Sequence, residues 1–306
     1  AGGCIMTWSW CDAGAAMRRA KVHAPGNVCF FTRDMKEAAQ RRFAIENRLR
    51  DALEAGELTI AYQPVVAAAS RETIAVEALL RWTSSELGDV APAEFIPIAE
   101  QAGLMEDIGD WVLEQACAQV ANWRWSIAPD VNVSVNISPV QFHHGDLAKL
   151  VHSILLETGL KPDRLELEIT EGVLIDDFSR AVSILRKLKL LGVHIALDDF
   201  GSGYSSLSYL HAFPFEKIKV DRVFVGDLDN NHHSMAIVRA IVTLGHSLNI
   251  PVLAEGVENE SQLSFLAQEG CDEVQGYFTG KPQPIEAYAD LVGNVMAKPR
   301  HKAVAG

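Results

Sequence analysis

The chain has 306 residues, 48% hydrophobic and 22% charged, a balance that excludes a disordered or fibrous protein and leaves room for two average domains or one α/β barrel of roughly 250 residues. Forty Asp and Glu against 27 Lys and Arg give a net charge of −13, which argues against a general electrostatic grip on DNA, RNA or an anionic membrane. No apolar run approaches the roughly 18 residues that span a bilayer and no signal segment opens the sequence, so a cytoplasmic location is expected.

Residues 1 to 33 carry Gly, Pro and small side chains without periodicity and are expected to be a linker, a tag or the stub of an upstream domain. From Asp34 to Ala55, Met35, Ala39, Phe43 or Ile45, Leu49 and Leu53 recur about every fourth residue, and Gly56 closes the run, which predicts an amphipathic connecting helix over 34–56. Beyond Glu57, strand-like runs alternate with helical patterns. The strands are expected at Leu58 to Val66, Thr73 to Leu80, Val131 to Asn136, Arg164 to Ile169, Val193 to Asp198, Lys217 to Val220, Pro251 to Glu255 and Glu273 to Val274. The helices are expected at Ile108 to Trp125, Asp146 to Thr158, Asp177 to Leu191, His233 to Leu248 and Ser261 to Gln268. About eight strands alternating with helices favour an α/β fold closed as a TIM-like (β/α)8 barrel over 57–298, with a tail at 299–306. The link Ala69 to Glu72 is too short for a crossover and permits only an antiparallel first pair.

Cys4, Cys11, Cys29, Cys117 and Cys271 are odd in number, widely spaced and free of any C-x-x-C pair, so they read as buried or incidental thiols. The doublets His143-His144 and His232-His233 sit beside Gly, Asp and Asn, where exposed loops explain them better than metal.

In a parallel barrel the C-terminal strand ends form one rim, where catalytic groups collect. The polar residues at those ends are Glu77, Asn136, Glu168, Asp198-Asp199, Lys219 with Asp221, and Glu255. Carboxylates packed so closely resist ionisation unless a cation sits among them, and a set of oxygen donors without thiolate or imidazole suits Mg²⁺ or Mn²⁺ rather than Zn²⁺. The adjacent pair Asp198-Asp199 could serve two ions, an arrangement used in phosphoryl transfer. Any one of these acids could instead be capping a helix. Lys219 could be a surface residue, but alternation puts it with Asp221 on one face of the Ile-Lys-Val-Asp run, pointing inward.

Seven motifs in register then resemble one family. Glu77-Ala78-Leu79-Leu80-Arg81-Trp82, Asn136-Ile-Ser-Pro-Val-Gln141-Phe142, Glu168-Ile-Thr-Glu171, Asp198-Asp199-Phe-Gly-Ser-Gly-Tyr-Ser-Ser, Lys217-Ile-Lys219-Val-Asp221, Glu255-Gly-Val-Glu258 and Gln275-Gly-Tyr277 are similar to the motif series of the EAL-domain cyclic-di-GMP phosphodiesterases over about residues 40 to 290. The resemblance implies a barrel with an antiparallel first strand that hydrolyses cyclic di-GMP to linear 5′-pGpG with two Mg²⁺ or Mn²⁺ ions, Ca²⁺ being inhibitory. By position it implies Glu77, Asn136, Glu168, Asp198, Asp199 and Glu255 as metal ligands. Glu77, Lys219 and Glu255 would be catalytic, with Lys219 and Glu255 orienting or deprotonating the attacking water and no division of labour between them. Arg81 would hold a substrate phosphate, and Gln63, Asp221 and Gln275 would complete the substrate-binding set. Glu171 would anchor a mobile loop, 199 to 208, leading to a homodimer interface. Ala16 to Lys21 followed by Cys29-Phe-Phe resembles the end of a GGDEF domain, so a longer protein, tethered to a membrane upstream or not, is expected. Two further readings compete: a catalytically silent cyclic-di-GMP receptor, which typically lacks metal ligands that are all present here, and a two-carboxylate glycosidase, which would need neither Asn136, Lys219 nor metal.

Overall fold

The computed structural model describes residues 33–122, 131–143, 145–201, 210, 213, 215–229 and 231–288. The expected upstream remnant, the C-terminal tail, His144 and most of the loop after Asp199 lie outside the described residues. No described helix is long and apolar enough to cross a membrane.

The chain divides into two units, one formed by residues up to 58 with 82–104 and the other by 59–81 with the remainder from 105. In the first, helix α1 (Arg33–Ala52) buries Ile45, Leu49 and Ala52 along one stripe and leaves Phe43 exposed, which decides the Phe43 or Ile45 ambiguity. The helix stops three residues before the expected Ala55, and Gly56 makes the turn at φ +68°. Arg41 forms a bidentate pair with Glu94, Arg42 donates to Gln101 at 2.6 Å, and Arg48 pairs with Glu86. Both Glu94 and Gln101 belong to α2 (Pro92–Gln101), a helix the sequence reading did not anticipate because Pro92 and Pro97 break the pattern. Pro92 is tolerated in the first turn, where no intrahelical N–H bond is lost. The end of strand β2 (Thr73–Ser84) pairs antiparallel with β3 (Gly88–Val90), and Trp82 packs edge-on against Phe95 at 5.6 Å.

The second unit is the barrel. Strands β1 (Leu58–Ala67), β2, β4 (Asn132–Asn136), β5 (Leu165–Thr170), β6 (His194–Phe200), β7 (Lys217–Val220), β8 (Val252–Ala254) and β9 (Glu273–Val274) form one sheet that closes through the β1–β2 pairing. All neighbours in the ring from β2 to β9 run parallel, and β1 runs antiparallel to β9. The expected short link accounts for this reversal: Ala67 N donates to Glu72 O at 2.9 Å, closing a tight connection instead of a crossover. Closure gives each strand two neighbours, so runs such as Leu165–Ile169 are buried on both faces. Val65, Ala75 and Leu253 form an apolar cluster in the core.

The longer helices between strands follow the expected pattern, with ends set by chemistry the sequence displays. They are α3 (Met105–Ala121), α5 (Leu147–Thr158), α7 (Phe178–Leu191), α9 (His232–Leu248) and α10 (Glu260–Gln268). Asp146, Asp177, Asn231 and Asn259 cap the last four by accepting first-turn N–H groups, and Gly159, Gly192 and Asn249 end three of them in the left-handed conformation. His232-His233 is exposed, as expected, but opens α9 rather than lying in a loop. The single-turn helices α4 (Pro139–His143), α6 (Glu171–Asp176) and α8 (Arg222–Gly226) were not anticipated, since five or six residues are too few to show a period. Cys117 and Cys271 are free buried thiols; the other three cysteines lie outside the described residues.

Candidate active site

The strand ends bring Lys219 into a ring of carboxylates. Its Nζ lies 2.5 Å from Glu168 Oε2, 2.6 Å from Glu255 Oε1, 3.1 Å from Asp198 Oδ1 and 3.9 Å from Glu77 Oε1, with the lysine 1% exposed. The four acids come from β2, β5, β6 and the residue after β8, so only barrel closure assembles them. Burial alone would push the lysine toward neutrality, but Asp198, Glu168, Glu255 and Glu77 outweigh it and hold the ammonium charged well above the ordinary lysine range. Two of the acids are shifted by the same burial. Burial raises Glu168 well above a normal carboxylate despite Lys219, and pushes Glu255 up to about 8.

Asp198 and Asp199 are neighbours on a strand and should point to opposite sides. Instead, the β6–β7 register shifts between Leu197 and Phe200, and Asp199 adopts φ +54°. The bulge and the left-handed residue re-aim the second side chain, so that oxygens of Asp198, Asp199 and Glu255 lie within 4.8 Å of one another. Asp199 N donates to Asp198 Oδ1 at 3.0 Å, tightening the turn. Burial, then Asp198 and Asp221, raises the Asp199 carboxyl above its usual range.

Amides hold Glu77 from both sides. Asn136 Nδ2 donates to its Oε1 and Gln275 Nε2 to its Oε2, each at 2.6 Å. Gln275 Nε2 also lies 3.3 Å from Gln63 Oε1, while Gln63 Nε2 donates to Gly280 O at 3.0 Å. Gly276 is required here because a Cβ would come within 2.0 Å of Val257 O, beside the Val257 N to Gln275 O bond that fixes this strand end. Arg81 is half-buried, donates to Leu80 O and feels the charge of Glu77 without forming an ion pair with it. Glu171 is buried and accepts from Gly201 N at 3.2 Å. Of the loop it was expected to anchor, residues 202–208 lie outside the described residues.

Asp221 departs from expectation. Strand β7 ends at Val220, and Asp221 turns out of it to cap α8, its Oδ1 accepting from Val223 N at 2.9 Å. The helix-capping reading weighed for each acid therefore holds for this one, although its charge still reaches Asp199. Ser134, Glu166, Lys217 and Glu273, which stand outside the expected site, form a second polar layer inside the barrel. Alternation was the available signal: each stands two residues before a site residue and shares its face.

The donor set fits divalent ions of the hard type. Carboxylate oxygens from β2, β5, β6 and the residue after β8 converge with one lysine among them, and the Asp198, Asp199, Glu255 triad spans a distance one ion can bridge. Nothing in this set favours a thiophilic metal.

The sequence matches the EAL domain family over residues 46–282. It is 48% identical over 276 residues to a protein of Caulobacter vibrioides described as an uncharacterized signaling protein, covering 90% of this chain and 34% of that one. It is 43% identical over 275 residues to the bifunctional diguanylate cyclase/cyclic di-GMP phosphodiesterase MucR of Pseudomonas aeruginosa, covering 90% of this chain and 40% of MucR. The structure of the PaMucR phosphodiesterase in complex with c-di-GMP superposes with a TM-score of 0.78 at 43% identity, over 80% of this chain and 99% of that one. The chain thus spans about a third of the length of the curated relatives it matches.

Proposed function

The chain belongs to the EAL domain family, and from that premise we propose that it hydrolyses cyclic di-GMP to linear 5′-pGpG with Mg²⁺ or Mn²⁺. The observation that carries this reading is the ring of Glu77, Glu168, Asp198 and Glu255 around a buried Lys219, joined to the Asp198, Asp199, Glu255 triad. Glu77, Asn136, Glu168, Asp198, Asp199 and Glu255 would hold two ions. Bound there, the ions would supply positive charge to polarise the phosphodiester and ease deprotonation of water.

The chain's own groups divide the remaining work. Lys219 stays charged, so it donates hydrogen bonds and positive charge to the reacting oxygens and does not accept the proton. Glu255, 2.6 Å from Lys219 Nζ, is the carboxylate we take as the proton acceptor. Arg81, half-buried beside the ring, is the group to grip a phosphate oxygen and orient the ester for in-line attack. Gln275 holds Glu77 in place from the wall, and Gln63 accepts from Gln275 behind it. Asp221, committed to its helix cap, would act on Asp199 through charge rather than touch substrate.

Purified protein supplied with Mg²⁺ or Mn²⁺ is expected to convert cyclic di-GMP to 5′-pGpG, followed by liquid chromatography. Ca²⁺ should inhibit it and Glu77→Ala should abolish turnover. Tight nucleotide binding without turnover in either ion would identify a receptor instead, and turnover that survives chelation would exclude a metal-dependent mechanism.

A further inference from the structure

Beneath Lys219 the barrel holds a second set of charges. Lys217 Nζ lies 2.9 Å from Glu166 Oε1 and 2.9 Å from Glu273 Oε2, and Ser134 Oγ donates to Glu166 Oε1 at 2.9 Å. Lys217 and Glu166 are buried and the Glu273 side chain is 15% exposed. Each member stands two residues before a member of the site: Ser134 before Asn136, Glu166 before Glu168, Lys217 before Lys219 and Glu273 before Gln275. Residues two apart on a strand face the same way, about 6.6 Å apart. The two polar sets therefore stack, strand for strand.

Both lysines leave β7 and reach past β6 to a glutamate of β5. The register explains how, since Ala196 of β6 pairs with Glu168 on one side and Lys217 on the other, and its small side chain leaves the crossing open. Each lysine thus has two β5 carboxylates within a layer of it. Glu166 is close enough to Glu168 to raise its proton affinity. The pairing seen is in step, Lys217 with Glu166 and Lys219 with Glu168. A slipped pairing of Lys219 with Glu166 would draw its ammonium down one layer, away from Glu255 and Asp198. A buried carboxylate without a partner is costly, so an unpaired Glu166 would compete for the nearest cation.

We propose that Lys217 is a positioning residue: by satisfying Glu166 and Glu273 it denies Lys219 the lower carboxylates and keeps that ammonium in the upper ring, against Glu168, Asp198 and Glu255. The expected kinetic effect rests on the phosphodiesterase reading; the geometric effect does not.

The test compares Lys217→Met with Lys217→Met/Glu166→Gln/Glu273→Gln in the full chain. In Lys217→Met, a crystal structure is expected to show Lys219 Nζ turned to Glu166 and out of hydrogen-bond reach of Glu255. Its kcat on cyclic di-GMP should fall about a hundredfold, the scale of a ~1 Å misplacement, while KM changes less than about threefold. The triple variant, with no lower carboxylate left to compete, should return Lys219 to the ring and recover kcat to within about tenfold. A lysine that served folding alone would lower thermal stability without this split between kcat and KM and without rescue. Lys219 found in place in Lys217→Met overturns the proposal, whatever the rate. Should Lys217→Met fail to fold, Lys217→Met/Glu273→Gln leaves Glu166 as the one competitor, and Lys219 in place there overturns it equally. A parent chain that does not cleave cyclic di-GMP defeats the proposed function, and the position of Lys219 in these structures still decides the role of Lys217.

Discussion

Asp199 shows how one residue can carry both a backbone and a charge requirement. Its φ of +54° is a conformation that Asp and Asn tolerate better than most side chains, and the same turn brings its carboxylate to Asp198 and Glu255. Asp199→Asn keeps the first property and removes the second. Without metal, the variant should unfold at the same temperature as the parent or slightly higher, because it removes the buried charge, and with it the repulsion from Asp198 and Asp221, that raises this carboxyl. Its affinity for Mn²⁺, measured by calorimetry, should drop about tenfold or more. A loss of thermal stability with metal affinity intact would show that the residue matters for the turn alone. Lys219 makes the complementary point, since its charge is held by the acids that the same charge keeps together.

At the scale of elements, short polar connections fix what the strands alone would leave loose. Glu57, between α1 and β1, accepts from Ser85 N at 2.8 Å and from Trp82 Nε1 at 3.0 Å, and its carbonyl accepts from Thr83 N. The Ser85 and Trp82 hydrogen bonds hold its carboxyl at about 2. A depressed carboxylate contributes fully above its ordinary value near 4.5, and that contribution is lost as pH falls toward 2. The Trp82 indole N–H resonance should therefore titrate with a midpoint near 2; a midpoint near 4.5 would mean that the bonds do not persist in solution. The barrel strands apply the same economy of position. Alternation puts candidate-site and supporting side chains on one face, so β4, β5 and β7 each deliver a residue to both polar layers.

For the whole molecule, the net charge of −13 has a partial location in the barrel mouth, where Glu77, Glu168, Asp198, Asp199 and Glu255 face one lysine. Burial raises Glu255 to about 8, so the folded chain binds more protons than the unfolded chain between 4.5 and that value. Stability of the metal-free protein should accordingly fall as pH rises through this window. Under the proposed metal-dependent function, Mg²⁺ would bind the ionised carboxylates of the folded form, worth about 2.7 kcal/mol at a hundred times Kd. Melting scans should show Mg²⁺ raising Tm more at pH 8 than at pH 5.5. An equal shift at both would place the bound ion away from these carboxylates.

The sequence by itself determined the alternation of strands and helices, the antiparallel first pair, the caps that end the helices and the polar residues at the strand ends, because period, loop length and capping chemistry are local properties. It also supplied the motif series that marks the family. It did not reveal α2, whose prolines mask its pattern, or the single-turn helices, which are shorter than a period. Nor could it show that Asp221 leaves the strand to cap a helix, while Asp199 turns to join its neighbour. Those outcomes, together with the charge held on Lys219 and the polar layer beneath it, were decided by tertiary structure. Burial and the distances between side chains from different strands set which protonation state costs least, and both come into existence only when the barrel closes.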